Sequence, residues 1–251
     1  MGEVSDAFSI VEVREVSSGG TLVAGLPDVG LVGAISASYL VKRLEMQEVG
    51  YIDSEKLPPV LVFHDERPTM PIRMYERDGV VVLISEVPIP AALMPELAKT
   101  VVGWAERRGL GRLVVLGGIP VPNRIDIEKP EVIGVGVLDS DRELLKKLGI
   151  EVLKEGFLAG SYALIAKECL RRGVPCVALL AQSYLQYPDP GAAAAVLETL
   201  SKIIDIEIDV KPLLDQEEEV RVKLRELMRR TLPVVRQAQK GYEYTTPLMY
   251  A

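Results

Sequence analysis

His64 is the only histidine in the chain and stands in the run His64-Asp65-Glu66. One ring nitrogen beside two carboxylates has the donor types of a cation site, but a multi-histidine metal centre is excluded and a solvated loop is the simpler reading. The two cysteines, Cys169 and Cys176, give no disulfide framework. They flank a predicted helix end and strand start and read as buried thiols. Ser161 follows Gly160 without the glycine spacing of a nucleophile elbow. Asp28, Glu86, Asp126 and Glu155 fall at predicted strand or loop ends, yet nothing in their spacing pairs them for acid-base work. Gly25, Gly30 and Gly33 miss the G-x-G-x-x-G spacing, and no P-loop lysine follows. Gly117-Gly118, at a predicted strand end, is the better pocket candidate, because ligands of α/β sheets bind beyond strand carboxyl ends. No catalytic constellation, cofactor site or metal site is expected, and the chain is read as no enzyme.

The last residues carry a different chemistry. The chain ends Leu248-Met249-Tyr250-Ala251. Met249 suits an apolar pocket, Tyr250 offers a ring with a hydroxyl, and the carboxylate of Ala251 can pair with a lysine of a partner. Met249, Tyr250 and Ala251 are therefore the candidate partner-binding residues.

The elements that would carry these residues follow from hydrophobic spacing. Thr21 to Leu44 reads as a buried strand, a glycine turn and a helix, with Asp28 placed to cap that helix. Phe8 to Val16 alternates as an edge strand does. Arg77-Asp78-Gly79 is a hairpin signal, and Val80 to Ile84 is a fully buried strand. Leu93 to Arg108 carries an apolar stripe at Leu93, Leu97, Val101 and Trp104. Leu113 to Leu116, Val132 to Leu138 and Val174 to Ala181 are further strands. Asp139 or Ser140 caps a short helix, and another runs from Gly160 to Arg172. Asp189 and Pro190 have the types of a helix N-cap and first helical residue. A final helix is predicted from about Leu213 to Arg230, its acids first and its arginines last, as the helix dipole favours. After Pro233 the pattern fades. An α/β domain is expected over 1–232 and a flexible tail over 233–251. The fold class is α/β, with a central mixed, largely parallel sheet flanked by helices.

Composition narrows the setting. A net charge of -7 over 251 residues argues against nucleic acid as a partner. No apolar run approaches a membrane span, and Met1 to Arg14 lacks the apolar core of a signal peptide. A cytoplasmic protein is expected.

Gly25-Leu26-Pro27-Asp28-Val29-Gly30-Leu31-Val32-Gly33, Pro88-Ile89-Pro90, Gly117-Gly118, Gly156-Phe157-Leu158-Ala159-Gly160 and Tyr187-Pro188-Asp189-Pro190 with its alanine-rich helix together resemble the PAC2 family. This is the family of the proteasome assembly chaperones and their archaeal relatives, and the resemblance runs from about residue 20 to 230. It implies an α/β core similar to the purine nucleoside phosphorylase fold, and a homo-oligomer. The tail is similar to the hydrophobic-Tyr-X ending of proteasome activators and of some archaeal members. That likeness implies docking between 20S proteasome α subunits, with Met249 as apolar anchor, Tyr250 as ring and hydroxyl, and Ala251 as the carboxylate that meets a pocket lysine. The ~20 residues after Arg230 would span at most ~65 Å if extended. The expected function is a chaperone or adaptor that assists proteasome assembly or opens the gate. The alternative is a nucleoside-like ligand-binding protein or enzyme on the same fold.

Overall fold

The computed structural model describes residues 7–243. In chain order the sheet-forming and helical segments are β1 (Ser9–Glu12), β2 (Thr21–Gly25), α1 (Val32–Arg43), β3 (Gln47–Asp53), β4 (Val62–His64), β5 (Arg67–Thr69), β6 (Ile72–Arg77) and β7 (Val80–Ser85). They continue with α2 (Met94–Arg107), β8 (Arg112–Pro120), β9 (Val132–Gly136), α3 (Asp139–Lys147), β10 (Glu151–Val152), α4 (Ser161–Arg172) and β11 (Cys176–Ser183). The helices α5 (Pro190–Ile204), α6 (Lys211–Asp215) and α7 (Glu217–Glu243) close the described chain. Nine strands form one sheet in the order β1-β3-β6-β7-β2-β8-β11-β9-β10, and β4 pairs with β5 in a separate ribbon. The four central strands, β7, β2, β8 and β11, are parallel to their neighbours within that group. Antiparallel pairs flank them through β6 on one side and β9 on the other. This is the mixed α/β sheet that strand and helix alternation predicts.

The central strands are apolar through their middles, with polar residues only near their ends, because helices cover both faces. Successive side chains point to opposite faces, so one strand feeds two cores. Leu22, Leu113 and Ala178 join Leu97, Trp104 and Ile165 of α2 and α4. Val23, Val114 and Val177 join Ile35, Leu40 and Val196 of α1 and α5. The predicted stripe of α2 is buried at Leu97, Val101 and Trp104, and the Trp104 indole donates to Glu12 Oε1 at 2.5 Å. No described helix is long and apolar enough to cross a membrane.

The β6–β7 hairpin turns through Asp78 at φ 50° and Gly79 at φ 76°, the two positive values of a tight turn that matches strand twist. A Cβ on Gly79 would meet nothing closer than 3.9 Å, so the cost of a side chain there is conformational alone. Gly79→Ala is expected to lose about 1 kcal/mol of stability in a urea titration. A loss of several kcal/mol would show that the hairpin is held by packing at the turn.

Four expectations are corrected. Gly117 and Gly118 do not close a strand; β8 runs through them to Pro120, paired with Leu180 and Ala181 of β11. Asp28 makes no capping hydrogen bond at the following helical turn or at α1. The α3 start is capped by neither Asp139 nor Ser140: the Leu138 N–H donates to Asp141 Oδ2 at 3.0 Å. The final helix begins earlier, as α6, and is interrupted at Gln216; α7 then passes through Pro233 and continues to Glu243. A proline inside a helix removes one backbone hydrogen bond, and here the intact turns on both sides carry the helix across it.

Candidate functional site

The residues predicted to bind a partner, Met249, Tyr250 and Ala251, lie outside the described residues. Their starting point is described. α7 has 27 residues and is about 40 Å long at ~1.5 Å per residue. Chain that is helical to Glu243 covers less distance than extended chain, so Arg230 to Ala251 spans at most roughly 45 Å rather than ~65 Å.

The glycine and proline blocks singled out in the sequence converge at the carboxyl ends of β2, β8 and β11. Gly30, at φ 61°, accepts the Asp189 N–H on its carbonyl at 2.8 Å. A Cβ on Gly30 would stand 2.0 Å from Ser183 Oγ, so the chain after β2 is pressed against the end of β11. A Cβ on Gly117 would stand 2.6 Å from Asp28 Oδ2 and 2.7 Å from the Tyr162 ring. The missing side chain on β8 is what admits the Asp28 carboxyl and the tyrosine of α4 above the sheet.

Asp28 is 4% exposed. Its Oδ2 accepts a long hydrogen bond from the Gly118 N–H at 3.4 Å, and its Oδ1 has no partner. Burial pushes this carboxyl well above the ordinary range, against the opposing pull of the Gly118 and Gly33 backbone N–H groups. Tyr162 donates to the Gly118 carbonyl at 3.4 Å, and burial, then the Asp28 charge, raise its hydroxyl pKa. Both residues line a groove of about 1010 Å³. Leu26, Ile89, Met94, Ile119, Val135 and Leu158 give it apolar walls, and Val234 and Val235 bring α7 to its side.

Behind the groove, Arg124 and Asp189 form a buried two-point ion pair. Arg124 Nε meets Asp189 Oδ2 at 2.7 Å and Nη2 meets Oδ1 at 2.9 Å. Asp189 is also the predicted N-cap of α5, accepting the Ala192 N–H at 3.0 Å, and it takes the Tyr184 N–H at 3.1 Å. Two guanidinium groups contact the Tyr184 ring, that of Arg124 at 5.0 Å and that of Arg221 of α7 at 5.6 Å from its centre. This cluster ties the Tyr187-Pro188-Asp189-Pro190 block to the last helix.

The other residues that drew notice in the sequence lie apart. His64 stands 3.0 Å from Glu86 Oε2, and the buried Arg73 contacts both. Asp65 and Glu66 form the positive-φ turn between β4 and β5. Asp126 and Glu155 are exposed and make no pair with Asp28 or Glu86. Cys169 and Cys176 are both buried as free thiols. Among the described residues no three histidine, cysteine or acidic side chains converge as metal ligands. Sequence reasoning missed Tyr162, Arg124 and Tyr184. The Gly160 and Asp189 blocks beside them were visible, but pairing across β8 and β11 is what joins these residues.

The sequence model of the PAC2 family matches residues 22–228. An uncharacterized protein of Methanocaldococcus jannaschii is 25% identical over 238 residues, covering 94% of this chain and 98% of that protein. The crystal structure of Pyrococcus furiosus PbaA, described as an archaeal homolog of proteasome-assembly chaperone, matches with a TM-score of 0.83 and 30% identity, over 89% of this chain and 98% of that one. Pyrococcus furiosus PbaB, described as an archaeal proteasome activator, shares the fold with a TM-score of 0.74 and 22% identity, over 88% of this chain and 99% of that one.

Proposed function

This chain belongs to the PAC2 family, and from that premise we propose that it is a non-enzymatic, homo-oligomeric chaperone or adaptor of the proteasome, working in the cytoplasm. The observation that carries the reading is the likeness to PbaA over 98% of that chain at 30% identity. The body forms the oligomer. The last residues dock between α subunits of the 20S particle, with Met249 in an apolar pocket, the Tyr250 ring and hydroxyl beside it, and the Ala251 carboxylate on a lysine. Docking so assists assembly or opens the gate. The reading takes the Ala251 carboxylate as free.

Two features support the mechanism. A reach of roughly 45 Å from Arg230 suffices to extend from the body into a neighbouring particle. Several tails on one oligomer act at high effective concentration, so each can bind weakly while the assembly binds well.

Native mass analysis of the full chain and of a chain ending at Pro247, each mixed with archaeal α subunits and with mature 20S particles, tests this. The full chain is expected to form a complex, and the shortened chain to lose it by at least about tenfold in affinity. Equal binding by both chains refutes the tail mechanism. No binding by either refutes the proteasome reading.

A further inference from the structure

We infer that the exposed Phe157 ring of one copy of this chain seats in the groove beside β8 of a second copy, with Glu155 of the first meeting Lys167 of the second. The inference rests on the homo-oligomer reading above, whose contact it names, and needs nothing of the proteasome reading.

Phe157 is 82% exposed, more than any other large apolar side chain among the described residues. A single exposed apolar residue is ordinary, but this one stands at the mouth of a groove. It lines that groove together with Leu158, Leu170 of α4, Ile133 and Val135 of β9, and Val235 of α7. Leu170 is itself exposed. Apolar surface that continues from a projecting ring into a cleft marks a contact site. The backbone holds the ring out. Gly156 stands at φ 146° and Gly160 at φ 99°, values that residues with side chains rarely adopt, so glycine sets the path of the chain on either side of Phe157. Gly160 is also the N-cap of α4, which anchors the segment to a helix.

Knob and hole lie on the same face of one chain. A second copy therefore offers both, and in a closed assembly every copy gives one ring and receives one. A phenyl ring has no hydrogen-bonding group to satisfy, which suits apolar walls, and a groove of about 1010 Å³ admits it. The rim supplies the charge match. Glu155, two residues before Phe157, and Lys167, the one cation lining the groove, are both exposed. Neither takes part in an ion pair among the described residues. Lys154 is one residue farther from the ring. Opposite charges beside the ring and beside the groove set the register in which two copies meet.

Sizing with native mass analysis of the full chain tests the contact. The unmodified chain is expected to associate with itself. Phe157→Ser is expected to raise the concentration of half-dissociation by at least about tenfold, the effect of removing an interface anchor. Circular dichroism checks that this variant, changed at an exposed position, is folded. Glu155→Lys and Lys167→Glu are each expected to weaken self-association, since each sets like charges face to face. Mixed in equal amounts, these two variants are expected to associate with each other more tightly than either does with itself, because every contact across the mixed pair regains opposite charges. No rearrangement within one chain produces that preference. A full chain that stays monomeric overturns the homo-oligomer reading and this contact with it. Association of Phe157→Ser at unmodified strength, or no preference of the charge variants for one another, refutes this contact and leaves the oligomer standing. Loss of association in a chain ending at Pro247, with Phe157→Ser unaffected, would make the tail the occupant of the groove and equally overturn the proposal.

Discussion

Arg124→Ala is expected to destabilise the folded protein by about 3–5 kcal/mol, the usual cost of leaving one partner of a buried ion pair behind. Both members are inside: the Arg124 side chain is 7% exposed and that of Asp189 is 0% exposed. Loss of the guanidinium strands the Asp189 carboxylate with only two backbone donors, Ala192 and Tyr184, against its desolvation. It also removes a donor to the Ile127 carbonyl, held at 2.6 Å, and one of the two cations over Tyr184. The effect spreads through three elements at once: the loop before β9, the end of β11 and the start of α5. Guanidinium chloride unfolding of the two chains, side by side, gives the difference. Arg171→Ala is the control, because that side chain is 63% exposed and its pair with Glu168 is worth at most about 1 kcal/mol. If Arg124→Ala costs no more than Arg171→Ala, the buried pair does not brace the site.

Asp28→Asn is expected to change stability in a way that depends on pH. The folded protein holds the Asp28 proton more tightly than the unfolded chain does, because burial raises the carboxyl pKa above its ordinary value near 4. Below about pH 4 both states carry the proton, and the original chain has its full stability. As pH rises, the unfolded chain ionises first, and each step upward favours unfolding until the folded carboxyl also ionises. Asparagine has the same shape and no such proton, so the variant escapes the loss. Its advantage is expected to be near zero at pH 4 and to grow to about 1–3 kcal/mol toward neutral pH, the range for a buried unsatisfied polar group. Urea midpoints of both chains at pH 4, 5, 6 and 7 check it. An advantage that shrinks as pH rises would mean that Asp28 is ionised and well solvated in the folded protein.

These two residues mark the boundary of what the sequence conveys. Asp189 was readable as a helix cap because the cue is local: an acid, a proline, then a small-residue run. Its bond to the Ala192 N–H follows from that order. Asp28 looked equally local and was not. The chain turns through Gly30 and Leu31 at positive φ, so the carboxyl lies over Gly117 and feels the Gly33 N–H of α1 without making a capping hydrogen bond. The fading pattern after Pro233 was likewise a fair local reading, because proline and glycine both weaken a helix. The helix nevertheless continues, with Val234 and Val235 against the groove.

The sequence by itself determined the alternation of strands and helices, the parallel centre of the sheet, the β6–β7 turn, the cap of α5, and the family. Each is written in residues near one another in the chain, through hydrophobic period, turn chemistry or an unbroken motif. Tertiary structure alone decided that the blocks around Gly30, Gly117, Gly160 and Asp189 meet at one end of the sheet. It also decided that Arg124 finds Asp189 and that the Asp28 carboxyl is buried beside an apolar groove with one oxygen unpartnered. The reason is physical. Strand order in a sheet is fixed by burying two faces at once, and the energy of that choice is spread over dozens of side chains. No single spacing records it.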